Sequence, residues 1–178
     1  MNRREFLSRT TRGLGGGALA SSSLSCGSSH QSPGPSPQPG RFSASDVVAL
    51  GATGIETSRL AIGTGTFGFN HQSHQSQLGI GALADLMYHG YLQGLTFWDA
   101  ADSYGTHPHV AEALRYAPRN RVVIQTKSWA RTAEEMRADL DRFRQELTTD
   151  YLDIVGMHAL GIDGGDGDWP IRYQGALE

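Results

Sequence analysis

With 178 residues, the chain is long enough to bury one sizeable core. A formal net charge of -3, with 38% hydrophobic and 19% charged residues, offers no basic excess for nucleic acid and no acidic block for a solvated tail. One cysteine, Cys26, excludes an internal disulfide framework, and no apolar run approaches the ~20 residues needed to span a bilayer.

The amino end reads as targeting rather than fold. Met1-Asn2-Arg3-Arg4-Glu5-Phe6-Leu7 leads into a weakly apolar stretch from Gly13 to Ala20 that closes on Ala18-Leu19-Ala20. A basic segment, a short apolar region and a small-x-small site describe a cleavable export signal over residues 1–26. Arg3-Arg4 followed by Phe6-Leu7 resembles the twin-arginine signal. That resemblance implies the twin-arginine export machinery as a partner and an exported, periplasmic or extracytoplasmic location. A disordered basic terminus is the plainer alternative. Leu24-Ser25-Cys26-Gly27 faintly resembles a lipoprotein attachment site, with Ser23 where Leu is usual, so membrane association is expected only if Cys26 is lipidated. Residues 27–45 are rich in Ser, Pro and Gly, with Pro33, Pro35, Pro37 and Pro39 alternating. Such a stretch buries too little apolar surface to fold and reads as an extended, disordered linker.

The folded part spans 46–178. Val48-Ala49-Leu50 and Arg59-Leu60-Ala61-Ile62 flank Gly51-Ala52-Thr53-Gly54, whose glycines permit a tight reversal. Leu60 to Thr64 is the first core strand, with the segment before it as a small hairpin partner. Leu78 to Gln93 follows as a helix with Leu78, Leu83, Leu86, Met87 and Tyr91 on one face. Leu95 to Asp99 is a strand, Val110 to Tyr116 a short helix, and Arg121 to Thr126 a strongly β-prone strand. Thr132-x-x-Glu135 is a capping box opening a helix lined by Met136, Leu140, Phe143 and Leu147. Tyr151 to Met157 is the next strand.

Strands alternating with helices predict βαβ units and a parallel sheet. The later strands recur about every 28 residues, near the roughly 31 per unit of a (β/α)8 TIM barrel. A doubly wound open sheet would give the same rhythm. However, Gly63-Thr64-Gly65-Thr66-Phe67-Gly68 does not satisfy that rival's G-x-G-x-x-G in register.

Asp99, Lys127 and His158 stand at the carboxyl ends of successive predicted strands, where a barrel gathers its chemistry at one mouth. Tyr104 follows Asp99 in the loop and can fold back over the same mouth. Singly, each has a bland reading: a turn-capping Asp, a solvated Lys, a satisfied core His. Jointly they are coherent. A phenol donates a proton poorly at neutral pH unless a nearby ammonium favours its phenolate, and a carboxylate can hold that ammonium. An imidazole can orient a substrate carbonyl, so the set can polarise C=O and deliver a proton. Side chains hold no hydride, so a nicotinamide cofactor is implied.

At these residues the sequence resembles the aldo-keto reductase family. Phe97-Trp98-Asp99-Ala100-Ala101-Asp102-Ser103-Tyr104-Gly105 is similar to its Asp-Thr-Ala-x-x-Tyr-Gly signature, with Ala100 in place of Thr. Thr126-Lys127, and Tyr151-Leu152-Asp153-Ile154 with His158, match its lysine and histidine motifs. The resemblance covers about Ala49 to Glu178. It implies Asp99, Tyr104, Lys127 and His158 as catalytic tetrad, with Tyr104 as general acid. It implies cofactor contacts at Gly63, Thr64, Gly65 and Asp99, with Thr66 an alternative to Thr64. It further implies NADP rather than NAD, a small-molecule carbonyl substrate, and reduction of an aldehyde or ketone to an alcohol or the reverse.

The family's barrel has eight strands, and this sequence supplies four. Trp169 to Glu178 looks like the opening of the fourth helix. The expected fold is therefore α/β, the amino-terminal half of a (β/α)8 barrel, from a truncated product or a partial record. The rival functional reading is a non-catalytic binding or scaffold protein derived from the same barrel. His71-x-x-His74 and His107-x-His109 lack a Cys or carboxylate at ligand spacing, so no metal is expected. His107 or His109 is a candidate lining residue for the substrate mouth, against plain solvent exposure. Asp163, Asp166 and Asp168 among glycines do not fit a calcium loop. Gln125, beside Lys127 on a core strand, has no explanation in the sequence.

Overall fold

The computed structural model describes residues 42–159. The expected signal, Cys26 and most of the linker lie outside the described residues, as do the 161–168 loop and the helix from Trp169. The last four residues assigned to the linker already make defined contacts. Ser43 N donates to Asp46 Oδ2 at 2.8 Å, and the Arg59 guanidinium lies 4.4 Å from the centroid of Phe42.

Strand β1 (Val47–Ala49) pairs antiparallel with β2 (Glu56–Ser58), reversing through Gly51 and Gly54 at φ 58° and 76°. The hairpin was expected, but its return strand is Glu56–Ser58 and not the Arg59–Ile62 segment. A Glu-Thr-Ser strand carries no apolar signal; its hydroxyls seat it instead. Ser58 Oγ accepts from Thr96 N and Phe97 N at 2.9 and 3.1 Å, and Thr96 Oγ1 accepts from Ser58 N at 3.0 Å. The hairpin is thereby pinned to the amino end of the strand that follows Thr96.

The main sheet is parallel and runs in chain order: β3 (Ala61–Gly63), β4 (Phe97–Asp99), β5 (Val123–Ser128) and β6 (Ile154–Met157). Its register sets Gly63 beside Asp99, Asp99 beside Gln125, and Lys127 beside Gly156. All four strands start later than the sequence predicts, because the residues ahead of them bond elsewhere. Asp153 Oδ2, for example, accepts from Ile124 N at 2.9 Å and from Arg119 Nη2 at 2.7 Å.

Among the described residues, three helices cover the sheet: α1 (Ile80–Leu92), α2 (His107–Ala113) and α3 (Ala133–Glu146). Leu83 and Met87 of α1 pack into a core with Trp98, Val110, Ile124 and Leu147. Leu86, expected on that face, is 54% exposed; its angular position carries it off the buried stripe. Gly90 lets α1 approach β3, since a Cβ there would lie 2.5 Å from Ile62 Cδ1. Helix α2 begins three residues before the predicted Val110, with Pro108 in its first turn, where a missing N–H costs nothing. Helix α3 opens on the predicted capping box: Glu135 N donates to Thr132 Oγ1 at 3.2 Å and Thr132 N to Glu135 Oε2 at 3.3 Å. Phe143 and Leu147 are fully buried, and Met136 and Leu140 half-buried.

Candidate active site

Alternation along β4 and β5 builds the site. Trp98, Ile124, Thr126 and Ser128 are buried, while Asp99, Gln125 and Lys127 are only part-buried on the opposite face of the sheet. On that face Lys127 Nζ lies 2.5 Å from Asp99 Oδ1 and donates to Ala100 O at 3.0 Å. Gln125 Nε2 donates to the same Asp99 Oδ1 at 3.0 Å. This accounts for the glutamine that the sequence left unexplained.

Tyr104 ends a single 3-10 turn, Asp102–Tyr104, and folds back over the mouth. The Lys127 ammonium lies 5.0 Å from its ring centroid, within cation–π range. The His158 ring meets it edge-on at 5.5 Å and 89°. His158 Nδ1 lies 3.2 Å from Ser103 Oγ, and Trp129 stacks on the imidazole at 4.8 Å and 17°. The structure thus brings Asp99, Tyr104, Lys127 and His158 together, as expected. The tyrosine hydroxyl has no hydrogen-bond partner among the described residues. Ser103, Gln125 and Trp129 join the four without a signal of their own. Ser103 was hidden as a spacer in the Asp99–Gly105 motif, and Trp129 follows Lys127 by two.

Of the Gly63-Thr64-Gly65 loop, Gly63 is exposed and a Cβ on it would meet nothing within 4 Å. Thr64 is fully buried: its Oγ1 donates to Asp99 O at 2.9 Å and lies 2.8 Å from Thr106 Oγ1, and its N–H also donates to Asp99 O. Gly65 and Gly68 face Tyr104, whose ring atoms lie 2.2 Å from where either Cβ would be. Thr66 is exposed and held by Gln75, which accepts from its N–H at 2.9 Å and donates to its Oγ1 at 2.7 Å.

His107 and His109 do not line the mouth, contrary to expectation, and neither is exposed. His107 Nδ1 donates to Glu146 Oε2 at 2.6 Å, and its Nε2 accepts from Thr126 Oγ1 at 2.8 Å on the helix side of β5. Burial pushes its pKa down, against the pull of Glu146, so the ring is neutral at pH 7. Among the described residues, Asp102, His107 and Glu146 converge closely enough to be weighed as a metal site. Arg142 already donates to both carboxylates, to Asp102 Oδ1 and Oδ2 at 2.7 and 2.9 Å and to Glu146 Oε1 at 2.9 Å. Burial raises the Asp102 pKa, but the Arg142 hydrogen bonds and charge outweigh it and hold the carboxyl below its usual range. A guanidinium therefore supplies the positive charge that a metal would bring.

An acid, a phenol, an amine and an imidazole thus gather at the carboxyl edge of a parallel α/β sheet, the edge at which barrel folds place their functional groups. The Aldo/keto reductase family model matches residues 59–163, and this chain belongs to that family. Probable aldo-keto reductase 1 of Glycine max is 29% identical over 126 residues, 62% of this chain and 35% of that protein. The NADPH-dependent alpha-keto amide reductase of Saccharomyces cerevisiae is 28% identical over 102 residues, 55% of this chain and 33% of that protein. The chain thus spans about a third of the length of these two curated relatives. The crystal structure of a Bombyx mori aldo-keto reductase in complex with NADP superposes with a TM-score of 0.58 at 19% identity, over 76% of this chain and 47% of that one. It supports the fold, a run of barrel strands and helices.

Proposed function

We propose that this chain carries the proton-transfer half of an NAD(P)H-dependent carbonyl reductase, reducing an aldehyde or ketone to an alcohol or running the reverse. The observation that carries it is the Lys127 ammonium held 2.5 Å from Asp99 Oδ1 while also facing the Tyr104 ring, whose hydroxyl is left for a substrate. Tyr104 gives its proton to the carbonyl oxygen. Lys127 favours the phenolate that remains, and Asp99, steadied by Gln125, keeps the ammonium in place. His158, fixed between Ser103 and Trp129, orients the carbonyl from the other side.

These residues fit a reduced nicotinamide: the donor set holds no hydride, and Gly63 leaves open space at the strand end beside Asp99. A nicotinamide bound there would supply the hydride that no side chain holds. Gly63 and Asp99 are the described residues that would flank it, whereas the Thr64 side chain is turned to protein and the Cβ position of Gly65 is filled by the Tyr104 ring. NADP in preference to NAD rests on the yeast relative's NADPH dependence and the NADP bound in the silkworm protein.

The test is loss of NADPH absorbance with a panel of aldehydes and ketones. Carbonyl-dependent oxidation that falls on the order of 10²-fold or more in Tyr104→Phe supports the assignment. Binding of NADPH without turnover would leave the binding-protein reading in its place.

Export through the twin-arginine route is proposed on Arg3, Arg4, Phe6 and Leu7 alone, with Cys26 as a conditional lipid anchor. Replacing Arg3 and Arg4 together by Lys should hold the protein in the cytoplasm on cell fractionation. Unchanged distribution would remove the proposal.

A further inference from the structure

Arg142 lies on α3, outside the cluster at the mouth, yet it grips the turn that carries Tyr104. Its Nη1 and Nη2 meet Asp102 Oδ1 and Oδ2 at 2.7 and 2.9 Å, a two-pronged contact with directional as well as charge character. The same guanidinium donates to Asp139 Oδ1 at 2.7 Å and Glu146 Oε1 at 2.9 Å, three residues before and four after it on the helix. Those carboxylates are braced in turn. Asp139 Oδ2 accepts the Ser128 hydroxyl from the end of β5 at 2.5 Å, and Glu146 Oε2 accepts from His107 at the start of α2. Arg142 is therefore held from both sides and aimed at Asp102.

Asp102 opens the turn that Tyr104 closes. Its backbone O accepts from His71 Nδ1 at 3.0 Å and from Gly105 N at 3.2 Å. Its side chain is only 14% exposed, so water competes little for the contact. Gly105 leaves the turn at φ 63°, with His71 O lying 1.9 Å from where a Cβ would be. Past Tyr104 the backbone is packed against His71, and before it the turn is held through Asp102 by Arg142.

We propose that Arg142 is a positioning residue for Tyr104, acting through the two-pronged contact to Asp102. The inference rests on Tyr104 as the proton donor. Gly65 and Gly68 lie against the ring, and the Arg142–Asp102 contact fixes the turn from which the hydroxyl is presented. A lysine keeps the charge but cannot reproduce the fork.

The experiment uses the full chain with 13Cζ-labelled tyrosine, the Tyr104 resonance being assigned by its loss in Tyr104→Phe. Arg142→Lys should shift and broaden the Tyr104 signal while the other tyrosines and the melting temperature stay put. In turnover, kcat should fall roughly 10-fold, with KM for NADPH changed less than about twofold. Asp102→Asn should move the same resonance and lower kcat alike, and the double variant should lose no more turnover than either single one. Arg142→Met, which removes the charge as well, should shift the signal further. An unmoved Tyr104 resonance in Arg142→Lys overturns the proposal. So does a common shift of all tyrosines with a lowered melting temperature, which marks general loosening. Should the wild-type chain reduce no carbonyl, the reductase reading fails by itself, and the resonance still decides whether Arg142 positions the turn.

Discussion

The ring of Tyr104 occupies the space that a side chain on Gly65 would need: a Cβ there would fall 2.2 to 2.6 Å from three of its atoms. The atoms in the way belong to the proposed proton donor and not to backbone, so a substitution is relieved by moving the phenol. Gly65→Ala should therefore fold but lose activity. A displacement of about 1 Å at a reacting group costs on the order of 10²-fold. Gly156→Ala is the matched control, since its Cβ would meet nothing closer than Lys127 Cγ at 3.7 Å. Equal kcat values for the two variants would show that the Gly65–Tyr104 contact does not set the phenol's place.

Gln125 provides a second, milder test. Its amide shares Asp99 Oδ1 with Lys127, and Asp99 answers to it across the register of β4 and β5. Gln125→Leu removes a hydrogen bond to a charged acceptor, worth ~1.5–3 kcal/mol at most, while Lys127 still neutralises the carboxylate. Stability in denaturant should fall within that range, and kcat less than in Asp99→Asn. A kcat for Gln125→Leu as low as that of Asp99→Asn would mean that the glutamine does more than steady the acid.

What the sequence made legible and what it hid separate along one physical line. Asp99, Lys127 and His158 were readable because strand ends are local features and side-chain direction alternates with fixed period. The capping box at Thr132 was readable for the same reason. Strand starts were not, because Ser58 with Thr96, and Asp153 with Ile124, are side-chain bonds between residues roughly 30 or more positions apart that replace ladder pairing. His107 looked like a surface or mouth residue. Only the fold brings Glu146, 39 residues on, to one ring nitrogen and Thr126 to the other, so that a polar ring can be buried. Gln125 stayed unexplained and Arg142 escaped notice for the same reason: a polar side chain declares no role until its distant partner is beside it.

The neutral burial of His107 makes stability depend on pH in a stated direction. Its folded pKa is depressed below the ordinary value of ~6.5, so above that pH neither folded nor unfolded chain takes a proton there. As pH falls through ~6.5 the unfolded chain binds a proton that the folded one resists, and stability drops until the folded pKa is reached. Asp102 adds a second loss in a lower window, since its depressed pKa contributes stability that is present above ~3.9 and vanishes as pH falls through the folded value. Melting temperature should therefore decline between pH 7 and 5 in the wild type. His107→Gln should be less stable throughout but flatter over that interval. A wild-type melting temperature that rises on acidification would contradict the direction assigned to His107.

Packing and capping contribute separately to α3, the helix that carries Arg142. Phe143 is fully buried and meets the His107 ring edge-on at 4.9 Å, so it supports the same polar cluster from its apolar side. Phe143→Ala leaves a cavity beneath His107 and should cost ~3–5 kcal/mol. Thr132→Ala removes one side of an exposed capping box and should cost ~0.5–2 kcal/mol. Beyond magnitude, the two differ in kind. The cavity lies against the histidine, so Phe143→Ala should also alter the slope of stability between pH 7 and 5. The cap lies at the far end of the helix, so Thr132→Ala should lower the whole curve without changing its slope. Urea unfolding at several pH values measures both, and a changed slope in Thr132→Ala would mean that the helix moves as one rigid lever on His107.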